Sequence, residues 1–153
     1  ALGYLVGHGH HAAPVADLVE ALVGAEPGVD SLHDPTRGGV VAVAHEVAQR
    51  TGLAMVLYEE DLPISPEVET VSQLLGVDPL GLACEGRFLA WVKPVATEHA
   101  LQSMWAHPEG GDATLIGEVV EAEPGGSPVL LQTRLGQLRP LDLRAGEDLP
   151  RIC

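Results

Sequence analysis

A chain of 153 residues with 46% apolar side chains can fill one core of ordinary size, and one compact domain is expected. Its 22 acidic and 8 basic residues leave a net charge of −14, which repels phosphate backbones and anionic lipid surfaces, so neither nucleic acid nor membrane partners are expected. Two cysteines, Cys84 and Cys153, make neither a disulfide framework nor a zinc motif, and no apolar run reaches the length of a membrane span, which fits a reducing cytoplasm.

The opening "ALGYLV" has no basic leader and no initial Met, so no signal peptide is expected and the sequence reads as a fragment or processed form. Residues 1–13 read as an irregular leader or linker remnant, 14–143 as an α/β domain, and 144–153 as a flexible tail. Within the domain, "PVADLVEALVGA" places Val15, Leu18, Val19 and Leu22 on one helical face. A brief strand at "VDSLHD" precedes "GVVAVAHEVAQRTG", a helix with Val40, Val43, Ala44 and Val47 on its apolar stripe, and His45, Glu46, Gln49 and Arg50 opposite.

"LAMVLYE" is strand-like. "SPEVETVSQLLG" carries Ser65 as cap, Pro66 at the first helical position, and Val68, Val71 and Leu75 expected inward. "RFLAWVK" is apolar on both faces, as a central buried strand is. "ATEHALQSMWAH" predicts a helix with Ala100, Leu101, Met104 and Trp105 inward, and "ATLIGEVVEA" and "PVLLQT" predict two strands across the turn "EPGGS". The order α-β-α-β-α-β-α-β-β predicts an α+β fold, a mixed sheet covered by helices on one face.

Four stretches carry candidate chemistry. "HDPTRGGV", at a strand end and helix start, presents backbone N–H groups and the positive helix terminus, with Gly38 and Gly39 allowing close approach of an anion. Thr36 could cap the helix or bond a phosphate, Arg37 could neutralise charge, and Asp34 could hold a metal ion or fix the turn. The plainer alternative is an Asp-Pro turn feeding a capped helix. In "LACEGRF", Glu85 could act as a base if partial burial raised its pKa, against the alternative of a solvent-facing turn acid. "GHGHH" clusters His8, His10 and His11, which could bind a divalent metal weakly or form part of a leader; no dedicated metal site is expected. In the ending "LPRIC", Cys153 on a flexible arm could visit more than one active site, or be incidental.

Taken together, "DPTRGGV", "CEGR", "LIGEVVEAEPG" and "LPRIC" resemble the C-terminal half of the HypE family of hydrogenase maturation factors, over about Pro14 to Cys153. The resemblance implies the C-terminal domain fold of the superfamily that includes aminoimidazole ribonucleotide synthetase and selenophosphate synthetase. It further implies an ATP-dependent carbamoyl dehydratase in which Cys153 accepts a carbamoyl group from the carbamoyltransferase HypF. Dehydration then gives a thiocyanate, which supplies the cyanide ligand of the hydrogenase iron through a HypC–HypD scaffold. Glu85 matches the glutamate of the family's Asn-Glu-Gly-Lys motif and is the implied base. Asp34, Thr36, Arg37, Gly38 and Gly39 are the implied cofactor-binding residues.

ATP and Mg²⁺ would be held mainly by an N-terminal domain absent from this sequence, so the fragment alone is expected to be inactive and the longer protein to be a homodimer. Here Cys84 and Arg87 replace the motif's Asn and Lys. Arginine keeps the charge but loses the compact ammonium. If the tail docks near Glu85, Cys153 could approach Cys84 closely enough to form a disulfide. Two alternatives stay open: a non-catalytic module presenting the cysteine tail to maturation partners, and another small-molecule kinase or synthetase of the same superfamily.

Overall fold

The computed structural model describes residues 3–8, 15–25, 27–84 and 86–143, the first of these segments by its backbone alone. Seven strands form one mixed sheet: β1 (Gly3–His8), β2 (Val29–His33), β3 (Leu53–Tyr58), β4 (Arg87–Val92), β5 (Thr114–Glu121), β6 (Val129–Gln132) and β7 (Leu138–Pro140). Their spatial order is β2-β4-β1-β5-β3-β6-β7, with every pairing antiparallel except β3 with β6. Four α-helices accompany them: α1 (Ala16–Ala25), α2 (Gly39–Thr51), α3 (Pro66–Leu75) and α4 (Thr97–Trp105). The expected α+β class with a mixed sheet is what the chain adopts.

Two details of that expectation are corrected. Residues 3–8, read from sequence as part of an irregular leader, form a strand in the middle of the sheet, paired with β4 on one side and β5 on the other. Helices also cover both faces of the sheet. The doubly apolar β4 shows why: Leu89 and Trp91 pack into one core with Val43, Ala44 and Val47 of α2. Phe88, Ala90 and Val92 point the other way, into a second core with Leu18 and Leu22 of α1 and Ala100 and Met104 of α4. Full burial of Leu18 and Leu22 contributes about 1.5–3 kcal/mol each. β5 and β6 are not hydrogen-bonded neighbours, because β3 lies between them.

The helix signals act where the sequence places them, although the inward faces differ. Ser65 accepts a hydrogen bond from the Val68 N–H with Pro66 next in line, and α3 closes at Gly76. Yet the buried residue of α3 is Ser72, while Val71, Leu74 and Leu75 are exposed and Val68 is partly so. The stripe expected to face inward faces outward. Trp105, also expected inward, is half-exposed, with its indole N–H donating to the Ala113 carbonyl at 2.8 Å. His45 is buried although its neighbours on the polar side are not, and its Nε2 lies 2.6 Å from the Leu141 carbonyl oxygen.

Candidate functional site

The "DPTRGG" stretch is the connection between β2 and α2, and local hydrogen bonds give it its shape. The Thr36 N–H donates to the Asp34 carbonyl at 2.9 Å, and the Gly39 N–H to the Thr36 carbonyl at 3.2 Å. The Gly38 carbonyl accepts from the Ala42 N–H at 3.1 Å as the first link of α2. No side chain caps this helix: Gly38 occupies the cap position in the left-handed region, so Thr36 is not the cap. Asp34, Thr36, Arg37 and Gly38 are exposed, whereas Pro35 and Gly39 are buried.

Gly39 is the residue whose chemistry differs most from the expected phosphate cradle. At φ +59°, its missing Cβ would collide with the carbonyl oxygens of Leu80 and Leu82, and would stand 3.0 Å from the Gly81 carbonyl carbon. The second glycine of the pair thus lets the start of α2 press against the turn Pro79–Gly81. With its N–H engaged by Thr36 and two carbonyl oxygens facing its α-carbon, Gly39 does not fit a phosphate group. The exposed Thr36, Arg37 and Gly38 keep side-chain or backbone donors on the surface. The described residues therefore fit contributors to a nucleotide site, without a complete cradle of their own.

The turn before β4 lies against this loop. The Cys84 N–H donates to the Pro35 carbonyl at 3.0 Å, tying "CEGR" to "DPTRGG" across some 50 residues of sequence. Gly86 turns the chain at φ +69° into Arg87, the first residue of β4. Glu85, the expected base, lies outside the described residues, as do Cys153, His10 and His11. Any pairing of Cys84 with Cys153 falls outside them for the same reason.

Between the two stitched loops and α3 is a cavity of about 310 Å³, with Leu62, Ile64, Leu82 and Leu89 among its apolar walls and Pro35, Cys84 and Arg87 at its loop end. The Cys84 thiol points at the Leu82 carbonyl, 3.5 Å away. Burial pushes its pKa up from the ordinary thiol value; the Arg87 charge and hydrogen bond oppose that rise, and Asp34 adds to it. Cys84 is held as a neutral thiol, unlike an activated nucleophile. Among the described residues, no group of three or more His, Cys, Asp or Glu side chains could hold a metal ion.

Sequence reasoning placed the two loops but missed what joins them. The turn Pro79–Gly81, with Asp78 capping the Leu80 N–H at 3.0 Å, was visible as "VDPLGL" and is the surface that makes Gly39 necessary. Pro35 was read only as a turn former, although its carbonyl makes the bond to Cys84.

Residues 9–128 match the family described as AIR synthase related protein, C-terminal domain. The carbamoyl dehydratase HypE of Cupriavidus necator is 40% identical over 141 residues, covering 92% of this chain and 40% of that protein. The chain thus spans about two fifths of the length of that curated relative. The crystal structure of HypE from E. coli, a hydrogenase maturation protein, superposes with a TM-score of 0.88 at 39% identity, covering 99% of this chain and 52% of that one. A HypE–HypF complex matches at 0.84 and 30% identity over 93% of this chain and 52% of that one. A HypE structure in complex with ATP matches at 0.86 and 27% identity over 99% and 52%. The chain therefore belongs to the AIR synthase related protein C-terminal domain family, and within it is similar to the HypE hydrogenase maturation proteins.

Proposed function

We propose that this chain is the C-terminal domain of a HypE-like carbamoyl dehydratase. The observation that carries the reading is the superposition on E. coli HypE over nearly the whole chain, joined to the family's "PRIC" sequence at Pro150–Cys153. In this reading Cys153 loses its thiol proton and takes a carbamoyl group from the activated carbamoyl donor of a HypF-type carbamoyltransferase, the S–C bond forming as the bond between the carbamoyl carbon and the donor's leaving group breaks. The thiocarbamate R–S–C(=O)–NH₂ then loses its oxygen and both nitrogen protons, leaving the thiocyanate R–S–C≡N. A HypC–HypD scaffold would take the cyanide for the hydrogenase iron. A cytoplasmic setting and a homodimeric longer protein complete the proposal.

Hydroxide is a poor leaving group, and ATP, with Mg²⁺ balancing its charge, would supply the phosphoryl group that lets the amide oxygen depart as phosphate. The described part of this chain does not hold a full nucleotide site, so the cofactor would rest mainly on a preceding domain, and this fragment alone would not turn over. From this chain, Thr36, Arg37 and Gly38 would face the phosphates and Asp34 the metal, while Gly39 fixes the loop that presents them. Glu85 would take the nitrogen protons. Its neighbour Cys84 is anchored to the Pro35 carbonyl by the bond that joins the two motif loops.

Glu85→Gln in a longer protein containing this domain tests the reading. S-carbamoylation of Cys153 should persist while thiocyanate formation falls by about a hundredfold or more, the range for loss of a general base. If this domain were only a module presenting its tail, the variant would leave thiocyanate formation unchanged.

A further inference from the structure

A second cavity, of about 370 Å³, opens on the α2 side of the sheet between α3, the 133–137 turn and the Glu59–Asp61 turn. That size is within the range of pockets that hold small molecules. It shares Leu62, Ile64, Pro79 and Leu80 with the cavity beside the motif loops, so the turn on which Gly39 presses borders both. Its floor is apolar, with Leu80 and Leu131 buried beneath Leu62 and Ile64. Ser72 of α3 also lines it and is only 3% exposed. The Ser72 carbonyl accepts from the Val77 N–H at 3.0 Å as the helix closes, but its hydroxyl has no hydrogen-bond partner among the described residues. Buried hydroxyls are normally paired, so this one is open to an occupant of the cavity.

Charges of both signs stand around this floor. The cations are Arg134 and Arg139, on the β6–β7 side. Among the described residues the ion pairs are Arg50 with Glu46 and Lys93 with Asp30, so neither cavity guanidinium is paired there. The carboxylates are Glu59, Glu69 and Asp78. Two of them have local partners: Glu59 accepts from the Arg134 backbone N–H at 2.9 Å, and Asp78 from the Leu80 N–H at 3.0 Å. Glu69 has none, and it lies three positions before Ser72, on the same side of α3. An anion alone would meet three carboxylates against two guanidiniums, and a cation alone would leave both guanidiniums unmatched. A zwitterion satisfies both ends, and its zero net charge avoids the repulsion of a chain at −14. We propose that this cavity binds a small aliphatic α-amino acid. Arg134 and Arg139 hold its carboxylate, Glu69 and the Ser72 hydroxyl accept from its ammonium, and its side chain rests on the leucine and isoleucine floor.

The test is calorimetric titration of the whole chain with L-leucine, beside 4-methylpentanoate and 3-methylbutylamine, which are leucine without its amino group and without its carboxylate. Leucine should bind with a Kd of about 1 mM or tighter, and each fragment at least about tenfold more weakly, because each lacks one charge-assisted end. R134Q/R139Q should weaken leucine at least about tenfold, and S72A severalfold, for one lost hydrogen bond. E69Q should weaken leucine and leave 4-methylpentanoate unchanged, which assigns the ammonium end. Both arginines and Glu69 are exposed, so folding is not at stake in those variants. Backbone amide signals of residues 69–78 and 131–139 should shift with leucine, and those of α1 and α4, across the sheet, should not. Three results overturn the proposal: no heat and no shift at about 20 mM leucine, either fragment binding as tightly as leucine, or an affinity that R134Q/R139Q leaves unchanged.

Discussion

Replacing Gly39 with alanine isolates what the paired glycines of "DPTRGG" do. Two costs combine. The first is the left-handed backbone at φ +59°, which costs a non-glycine residue on the order of 1 kcal/mol. The second is the collision of the new methyl with the Leu80 and Leu82 carbonyl oxygens, backbone atoms that can yield only if the Pro79–Gly81 turn moves; such overpacking costs about 1–3 kcal/mol. Gly52→Ala is the internal control, with φ +69° and nothing within 4 Å of the new Cβ, so it carries the backbone cost alone. The gain from a stiffer unfolded chain is common to both variants and cancels. Gly39→Ala should therefore be destabilised by about 2–4 kcal/mol, against about 1 kcal/mol for Gly52→Ala. In urea, with a slope of about 2 kcal/mol/M, its midpoint should fall at least ~0.5 M further. Equal midpoints would refute the packing role and return Gly39 to the anion-cradle reading.

Other expectations follow from single groups. His45→Ala removes the bond to the buried Leu141 carbonyl and should cost about 1–3 kcal/mol by chemical denaturation. Burial first, and Arg50 second, hold His33 below its ordinary value of 6.5, so the folded state resists protonation. This adds nothing above the ordinary pKa, and stability is lost as pH falls below about 6.5. His33→Gln should flatten that part of a stability-against-pH curve. Burial raises the Cys84 pKa, so at pH 8 this thiol should alkylate more slowly than free cysteine, and Arg87→Ala should slow it further. Leu74→Glu and Leu75→Glu, on the exposed side of α3, should each change stability by no more than about 0.5 kcal/mol in thermal melts.

The sequence made some of this legible and hid the rest for physical reasons. Periodicity located all four α-helices and the doubly buried β4, because a 3.6-residue stripe and an unbroken apolar run depend on neighbours in sequence. It failed for β1, whose Gly and His residues look like a leader and whose strand pairing is supplied by β4 and β5, distant in the chain. It failed for α3, where an apolar stripe marked a helix without saying that its outward surface stays uncovered among the described residues. It failed for His45, whose partner is 96 positions away. At the candidate site, the two motif loops were found separately, and only the fold shows the Pro35–Cys84 bond and the contact of Gly39 with the Leu80–Leu82 backbone that make them one place.

The most direct test of the central claim is intact-mass analysis of this chain after incubation with HypF, carbamoyl phosphate and ATP, beside a Cys153→Ala variant. The account predicts a gain of one carbamoyl group in the wild-type chain, mapped to Cys153, and none in the variant. A longer protein containing this domain that gains no carbamoyl group under the same conditions, or gains it equally in the Cys153→Ala form, would contradict it.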